Sequence, residues 1–157
     1  MNKTIFIVRH GHAEFDAKTD FERKLSQKGI LAINKTAEFI TKQSKQFNST
    51  PQLCISSAAM RTKQTAQIIC KKINSVKIEY DKMLYSTSPS TWLNKISTSN
   101  EQNILIIGHN PTFSQLINNF CGENIHMQPA NCAIIKLEIK PDGIVYPAQL
   151  VHYFSKN

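Results

Sequence analysis

Two unbroken apolar tetrads, IFIV at residues 5–8 and ILII at residues 104–107, restrict this chain more than any other feature of its sequence. An alternating strand can leave one face in water. A strand that is apolar at every position must be covered on both faces, as happens in parallel sheets flanked by helices. The segments between supply those helices. Ser26 is placed to cap one in which Ile30, Ile33, Ala37 and Ile40 recur at helical spacing. Residues 53–55 form a short strand, after which Ser56 or Ser57 is expected to cap a helix with Thr62, Ala66, Ile69 and Ile73 on one face. Residues 76–80 suit a further strand. Ser88-Pro89 opens a helix carrying Trp92, Leu93 and Ile96, and Asn110-Pro111 opens another carrying Phe113, Leu116, Ile117 and Phe120.

The pattern changes near the end. Ala133, Ile135, Leu137 and Ile139 alternate with polar residues, KPDG at 140–143 makes a turn, and residues 144–154 return as a strand. Alternating strands and helices followed by a hairpin predict an α/β three-layer sandwich. Its central sheet is mostly parallel, flanked by helices, with an antiparallel C-terminal hairpin. The 157 residues, 41% of them hydrophobic, suit one globular domain over 1–157. No signal-peptide core or membrane-length apolar run is present, so a soluble, cytoplasmic protein with no membrane association is expected. Cys54, Cys70, Cys121 and Cys132 are widely spaced and read as core thiols.

A net charge of +8 draws anions to the surface. The lysines are scattered, however, and no basic run with interleaved aromatics suggests a nucleic-acid interface, so nucleic acid ranks well below phosphorylated substrates as a partner. Both apolar tetrads run into histidine: the first into Arg9-His10-Gly11, the second into Gly108-His109-Asn110-Pro111. A third strand runs into SSAAMR, which sets Arg61 in the first turn of its helix. Ligands of open α/β sheets bind beyond the carboxyl ends of the strands. Arg9, Arg61, His10 and His109 would there form a compact cationic pocket whose planar donor forks suit phosphate oxygens. A competing reading takes His10, His12, Glu14 and Asp16 as metal ligands of a hydrolase. Another, drawn from the charge of +8, is a non-catalytic binder of phosphorylated or nucleic-acid partners.

VRHGHAE, SSAAMRTKQTA and IIGHNP, in this order and spacing, resemble the three signature segments of the histidine phosphatase superfamily, which has the phosphoglycerate-mutase-like fold. The short chain and the DFERKLSQKG segment at 20–29 are most similar to SixA-type phosphohistidine phosphatases. The resemblance implies His10 as the nucleophile that becomes phosphorylated, Arg9 and Arg61 as phosphate-binding arginines, and His109 as the second pocket histidine. Arg23 matches an arginine of the SixA-like subgroup, which leaves it between a phosphate contact and an ion pair with Asp20 or Glu22. Gly11 lets the backbone pass close to the phosphate, and its carbonyl is expected to hold the other ring nitrogen of His10. No metal and no other cofactor is implied. The implied partner is a phosphorylated protein, such as a histidine-phosphorylated signalling or phosphotransfer domain, or a small phosphorylated molecule.

One departure from the family matters. Larger members carry a general-acid carboxylate after the second arginine segment, and residues 82–100 here contain no Asp or Glu. Asp81 and Glu14 are the nearest candidates to swing in. Without an acid, a phosphohistidine substrate, which leaves as imidazole, is favoured over a phosphomonoester.

Overall fold

A computed structural model describes residues 1–74 and 76–155. Strands β1 (Asn2–Arg9), β2 (Leu53–Ser57), β3 (Lys77–Asp81), β4 (Asn103–Gly108), β5 (Cys132–Lys140) and β6 (Gly143–Phe154) form one sheet in the order 3-2-4-1-5-6. The first four are mutually parallel; β5 runs antiparallel to β1, and β6 antiparallel to β5. Helices α1 (Gln27–Gln46), α2 (Met60–Ile73), α3 (Pro89–Thr98) and α4 (Thr112–Cys121) complete the molecule, with short 3-10 turns at Asp20–Glu22 and Lys82–Leu84.

The first apolar tetrad explains the layering. Ile5 and Ile7 pack with Trp92, Ile96, Phe113 and Leu116 of α3 and α4. Phe6 and Val8 point the other way, into a cluster with Ile33, Ala37, Ala66 and Ile69 of α1 and α2. All four β1 side chains are fully buried, and each such burial contributes roughly 1.5–3 kcal/mol. Both faces of the sheet are therefore covered, as an unbroken apolar strand requires.

Local signals set most helix starts. The Ser26 hydroxyl accepts the Gly29 N–H at 3.1 Å, and Pro89 occupies the first turn of α3. Asn110 Oδ1 accepts the N–H of Ser114 at 3.2 Å and its hydroxyl at 3.0 Å, fastening the first turn of α4. The expected cap of α2 is corrected. Ser56 and Ser57 both stay in β2, Ala59 precedes the helix without a side-chain cap, and Thr62 donates to the carbonyls of Ser57 and Ala59. All four cysteines carry free thiols, and Cys54, Cys70 and Cys132 are buried. Among the described residues no helix is long and apolar enough to cross a membrane.

Strand register aligns three strand ends. Arg9 lies opposite Gly108, and Ser56 opposite Ile107. The residues leaving β1, β4 and β2 therefore emerge side by side at one edge of the sheet.

Candidate active site

A cavity of about 500 Å³ opens at that edge, and Arg9, His10, Arg23, Arg61 and His109 all line it. The two histidine rings approach to 5.2 Å between centroids. His10 is 9% exposed and forms the floor.

The tautomer of His10 is set by its partners. Nδ1 lies 2.7 Å from the Gly11 carbonyl, which can only accept, so Nδ1 carries the proton. Nε2 receives the Nε–H of Arg61 at 3.3 Å. A ring that donates from one nitrogen and accepts at the other is neutral, and its Nε2 lone pair faces the cavity wall formed by Arg61. Burial, opposed by the Gly11 carbonyl and reinforced by His109, Arg61 and Arg9, brings the His10 pKa down from 6.5 to about 3. Desolvation is thus a larger cause than the neighbouring arginines. Burial followed by the charge of Arg61, against the pull of Asp20, lowers His109 to about 4. His109 is therefore neutral near pH 7 rather than a protonated donor, and its Nε2 pairs with the Ser57 hydroxyl at 2.8 Å.

The arginines differ in what they have to spare. Arg9 donates one N–H to the Met127 carbonyl at 2.8 Å, and its Nε is buried with no protein acceptor. Arg61 is held more fully: Nη1 donates to the Asp20 carbonyl at 2.7 Å and Nη2 to Asp20 Oδ2 at 3.0 Å. Arg23 donates to Asp20 Oδ1 at 3.0 Å, to the Glu14 carbonyl at 2.8 Å and to the Ala13 carbonyl at 3.2 Å, with its guanidinium 4.3 Å from the Phe15 ring centroid. Of its two readings, the ion pair with Asp20 forms, and the same side chain also lines the cavity.

Gly11 is not among the residues that line the cavity. Its N–H goes to Thr65 Oγ1 at 3.3 Å, and a Cβ there would meet Ile33 at 2.8 Å and the Gly29 carbonyl at 3.0 Å. The absent side chain lets the strand end pass under α1. The contact is reciprocal, because a Cβ on Gly29 would lie 2.1 Å from the His12 carbonyl oxygen. His12 lines the rim with Nδ1 2.7 Å from the Ser26 hydroxyl, while Glu14 and Asp16 are exposed. His10, His12, Glu14 and Asp16 do not converge: among the described residues no three His, Cys, Asp or Glu are grouped to hold a metal ion. Asp81 is likewise no pocket carboxylate, being paired with Lys95 at 2.7 Å and with the Met83 N–H at 2.8 Å.

Sequence reasoning missed the carboxylate that is there. Asp20 lines the cavity, bound by Arg23, Arg61 and the Tyr85 hydroxyl. The Tyr85 hydrogen bond, with Arg23 and Arg61, holds its pKa well below the usual carboxylate range. Its one sequence signal is the Asp20–Arg23 spacing, which puts opposite charges three residues apart. Ser57 reads in the sequence only as a cap, and Thr65 carries no signal there at all.

Residues 5–94 match the profile of the histidine phosphatase superfamily, branch 1. An uncharacterised chloroplastic protein of Arabidopsis thaliana is 22% identical over 150 residues, which is 87% of this chain and 67% of that protein. Among solved structures, a SixA protein from Agrobacterium tumefaciens superposes with TM-score 0.80 at 23% identity, covering 98% of this chain and 97% of that one. The protein histidine phosphatase SixA complexed with tungstate gives 0.76 at 22%, covering 97% and 96%. The mycobacterial glucosyl-3-phosphoglycerate phosphatase gives 0.71 at 12%, covering 96% and 98%. These likenesses establish the α/β fold.

Proposed function

The chain belongs to branch 1 of the histidine phosphatase superfamily, and on that premise we propose that it hydrolyses phosphorylated substrates through a phospho-His10 intermediate, without a metal. The observation that carries this reading is the hydrogen-bond line from the Gly11 carbonyl through His10 to Arg61. It leaves a neutral Nε2 beside a guanidinium, which suits attack on phosphorus. In the first step the Nε2 lone pair gives up the Arg61 Nε–H, attacks phosphorus and displaces the leaving group, while Arg9 and Arg61, whose freed Nε–H turns to the phosphate, receive the phosphoryl oxygens and balance the charge that spreads over them. His109 and Arg23 line the same cavity and complete the phosphate site. In the second step water attacks phosphorus, and the Nε2–P bond breaks. The Gly11 carbonyl keeps the Nδ1 proton in place throughout, so His10 leaves as a neutral ring.

The substrate we favour is phosphohistidine on a protein. Asp20 is the lone carboxylate among the residues lining the cavity, and its three partners keep it ionised. An alkoxide leaving group would therefore lack a carboxylic acid to protonate it, a help worth about 10²–10⁴-fold. A protonated phosphoimidazole leaves as neutral imidazole and needs no such donor. The cavity is open, and Phe15 on its rim is 78% exposed, so an apolar surface of a protein partner has something to rest against. The second reading, a phosphatase of small phosphomonoesters, draws on the fold shared with glucosyl-3-phosphoglycerate phosphatase.

A substrate panel separates the two. Phosphohistidine protein is expected to turn over faster than phosphoserine peptide, phosphotyrosine peptide or sugar phosphate, with radiolabel trapped on His10 and lost in His10→Ala. A preference for the monoesters would favour the second reading.

A further inference from the structure

Asp20 is the one charged lining residue that the two steps above do not employ, although it stands in the same cavity, bonded to Arg61. His10 forms the floor of the cavity at 9% exposure, whereas the Asp20 side chain is 51% exposed at its mouth. The His10 Nε2 lone pair points to Arg61, and Arg61 in turn holds Asp20; displacement at phosphorus runs in line, so an expelled group departs on the side where Arg61 and Asp20 stand. The charges also fit: three arginines against one carboxylate leave two positive charges on the lining, the complement of a phosphoryl dianion.

We propose that Asp20 is a specificity-determining residue that accepts a hydrogen bond from the leaving group and so selects phosphoramidates over phosphate esters. This role rests on the phosphatase reading of the same cavity. An ionised carboxylate offers about four acceptor sites. Arg23 takes one on Oδ1, and Arg61 and Tyr85 take those on Oδ2, leaving one on Oδ1. The fourth has no protein donor among these bonds, and on a side chain 51% exposed it is open to a group entering the cavity. Tyr85 comes from the turn before α3, Arg61 from α2 and Arg23 from the same loop as Asp20; Arg9, His10 and His109 lie deeper in the cavity.

The bond changes balance. The His10 Nε2 lone pair forms the new N–P bond, and the old P–N bond breaks with its electron pair staying on the substrate ring. That ring departs neutral when its other nitrogen already bears a proton, and Asp20 accepts a hydrogen bond from that N–H. It does for the substrate imidazole what the Gly11 carbonyl does for His10. In hydrolysis the water oxygen bonds phosphorus, one water proton stays on the new P–OH, and the other passes to a phosphate oxygen. The Nε2–P electron pair returns to His10.

The test compares kcat/KM for free phosphohistidine and p-nitrophenyl phosphate in the wild type, Asp20→Asn and Asp20→Glu. Nitrophenolate leaves without a proton and gives Asp20 nothing to accept. Asp20→Asn is expected to lower the phosphohistidine-to-nitrophenyl ratio by about 10- to 100-fold, the worth of a hydrogen bond to a charged group. The alkaline limb of its phosphohistidine profile moves to lower pH, and Asp20→Glu recovers part of both effects. An equal loss on both substrates would show that Asp20 only positions Arg61, and unchanged kcat/KM on both would show no role; either overturns the proposal. Phospho-His10 trapped with an unmoved ratio overturns the Asp20 assignment alone. Absence of phospho-His10 with both substrates overturns the phosphatase reading with it.

Discussion

Strand β1 carries a buried cation near one end and a half-buried one at the other, and the fold treats the two in opposite ways. Lys3 is 2% exposed, and its ammonium donates to the carbonyls of Ser99 at 2.7 Å and Glu101 at 2.6 Å. Burial pulls its pKa down, and the Glu101 carboxylate pulls it back. At the other end burial again pulls Arg9 down, but there the nearest strong influence is Arg61, another cation, which adds to the cost. Arg9 also keeps a buried Nε with no protein acceptor. A desolvated charge with complete partners serves structure. One that is left short of acceptors beside a like charge keeps a donor to spare for an anion.

The sharpest way to break this contrast is at the residue next to Arg9. His10→Ala is expected to lower turnover of a phosphorylated substrate by at least about 10³-fold while the far-UV circular dichroism of the fold is kept. Arg9→Met comes next, with a loss of about 10²–10³-fold in kcat/KM. Its thermal midpoint should hold or rise, since repulsion with Arg61 disappears; a clear fall would mean that Arg9, too, is chiefly structural. Lys3→Met should do the reverse, costing roughly 2 kcal/mol in urea unfolding because two buried carbonyls lose their donor, with kcat unchanged.

Acid titration probes the same end more gently. His10 and His109 have folded pKa values of about 3 and about 4 against 6.5 when free. The unfolded chain therefore takes up protons first, and the stability these rings contribute is complete above pH 6.5 and falls below it. The slope is about 1.4 kcal/mol per pH unit for each histidine, continuing until the folded ring titrates. Unfolding measured between pH 7 and 4.5 should show this, and His109→Asn should remove about half of the slope. A flat profile would contradict the neutral, desolvated pair.

How much of this is legible in the chain depends on the range of the contacts involved. The tetrads at 5–8 and 104–107 require cover on both faces, and the position of His10 and His109 at two strand ends comes from that alone. Arg61 needs only a strand followed by a helix. The binding of the His10 ring by the Gly11 carbonyl is local and can be foreseen. Asp20 cannot, because its place depends on a loop folding back until a carboxylate meets a guanidinium 41 residues away. The pairing of Ser57 with His109 arises from the neighbouring positions of β2 and β4, which periodicity does not encode. Lys3 looks like one more scattered lysine, since burial of a strand's first turn by residues 99–101 has no sequence signature.

The interlock between α1 and the strand end has a bearing on inherited variation. Gly29 contributes no atom to the cavity lining, and a variant there would be scored harmless on that ground. Yet a methyl at that point would overlap the His12 carbonyl oxygen 2.1 Å away, two residues beyond His10. An allele encoding Gly29→Ala would accordingly segregate with active-site alleles rather than with mild helix-surface ones, and position 29 belongs on any genetic map of this enzyme's function.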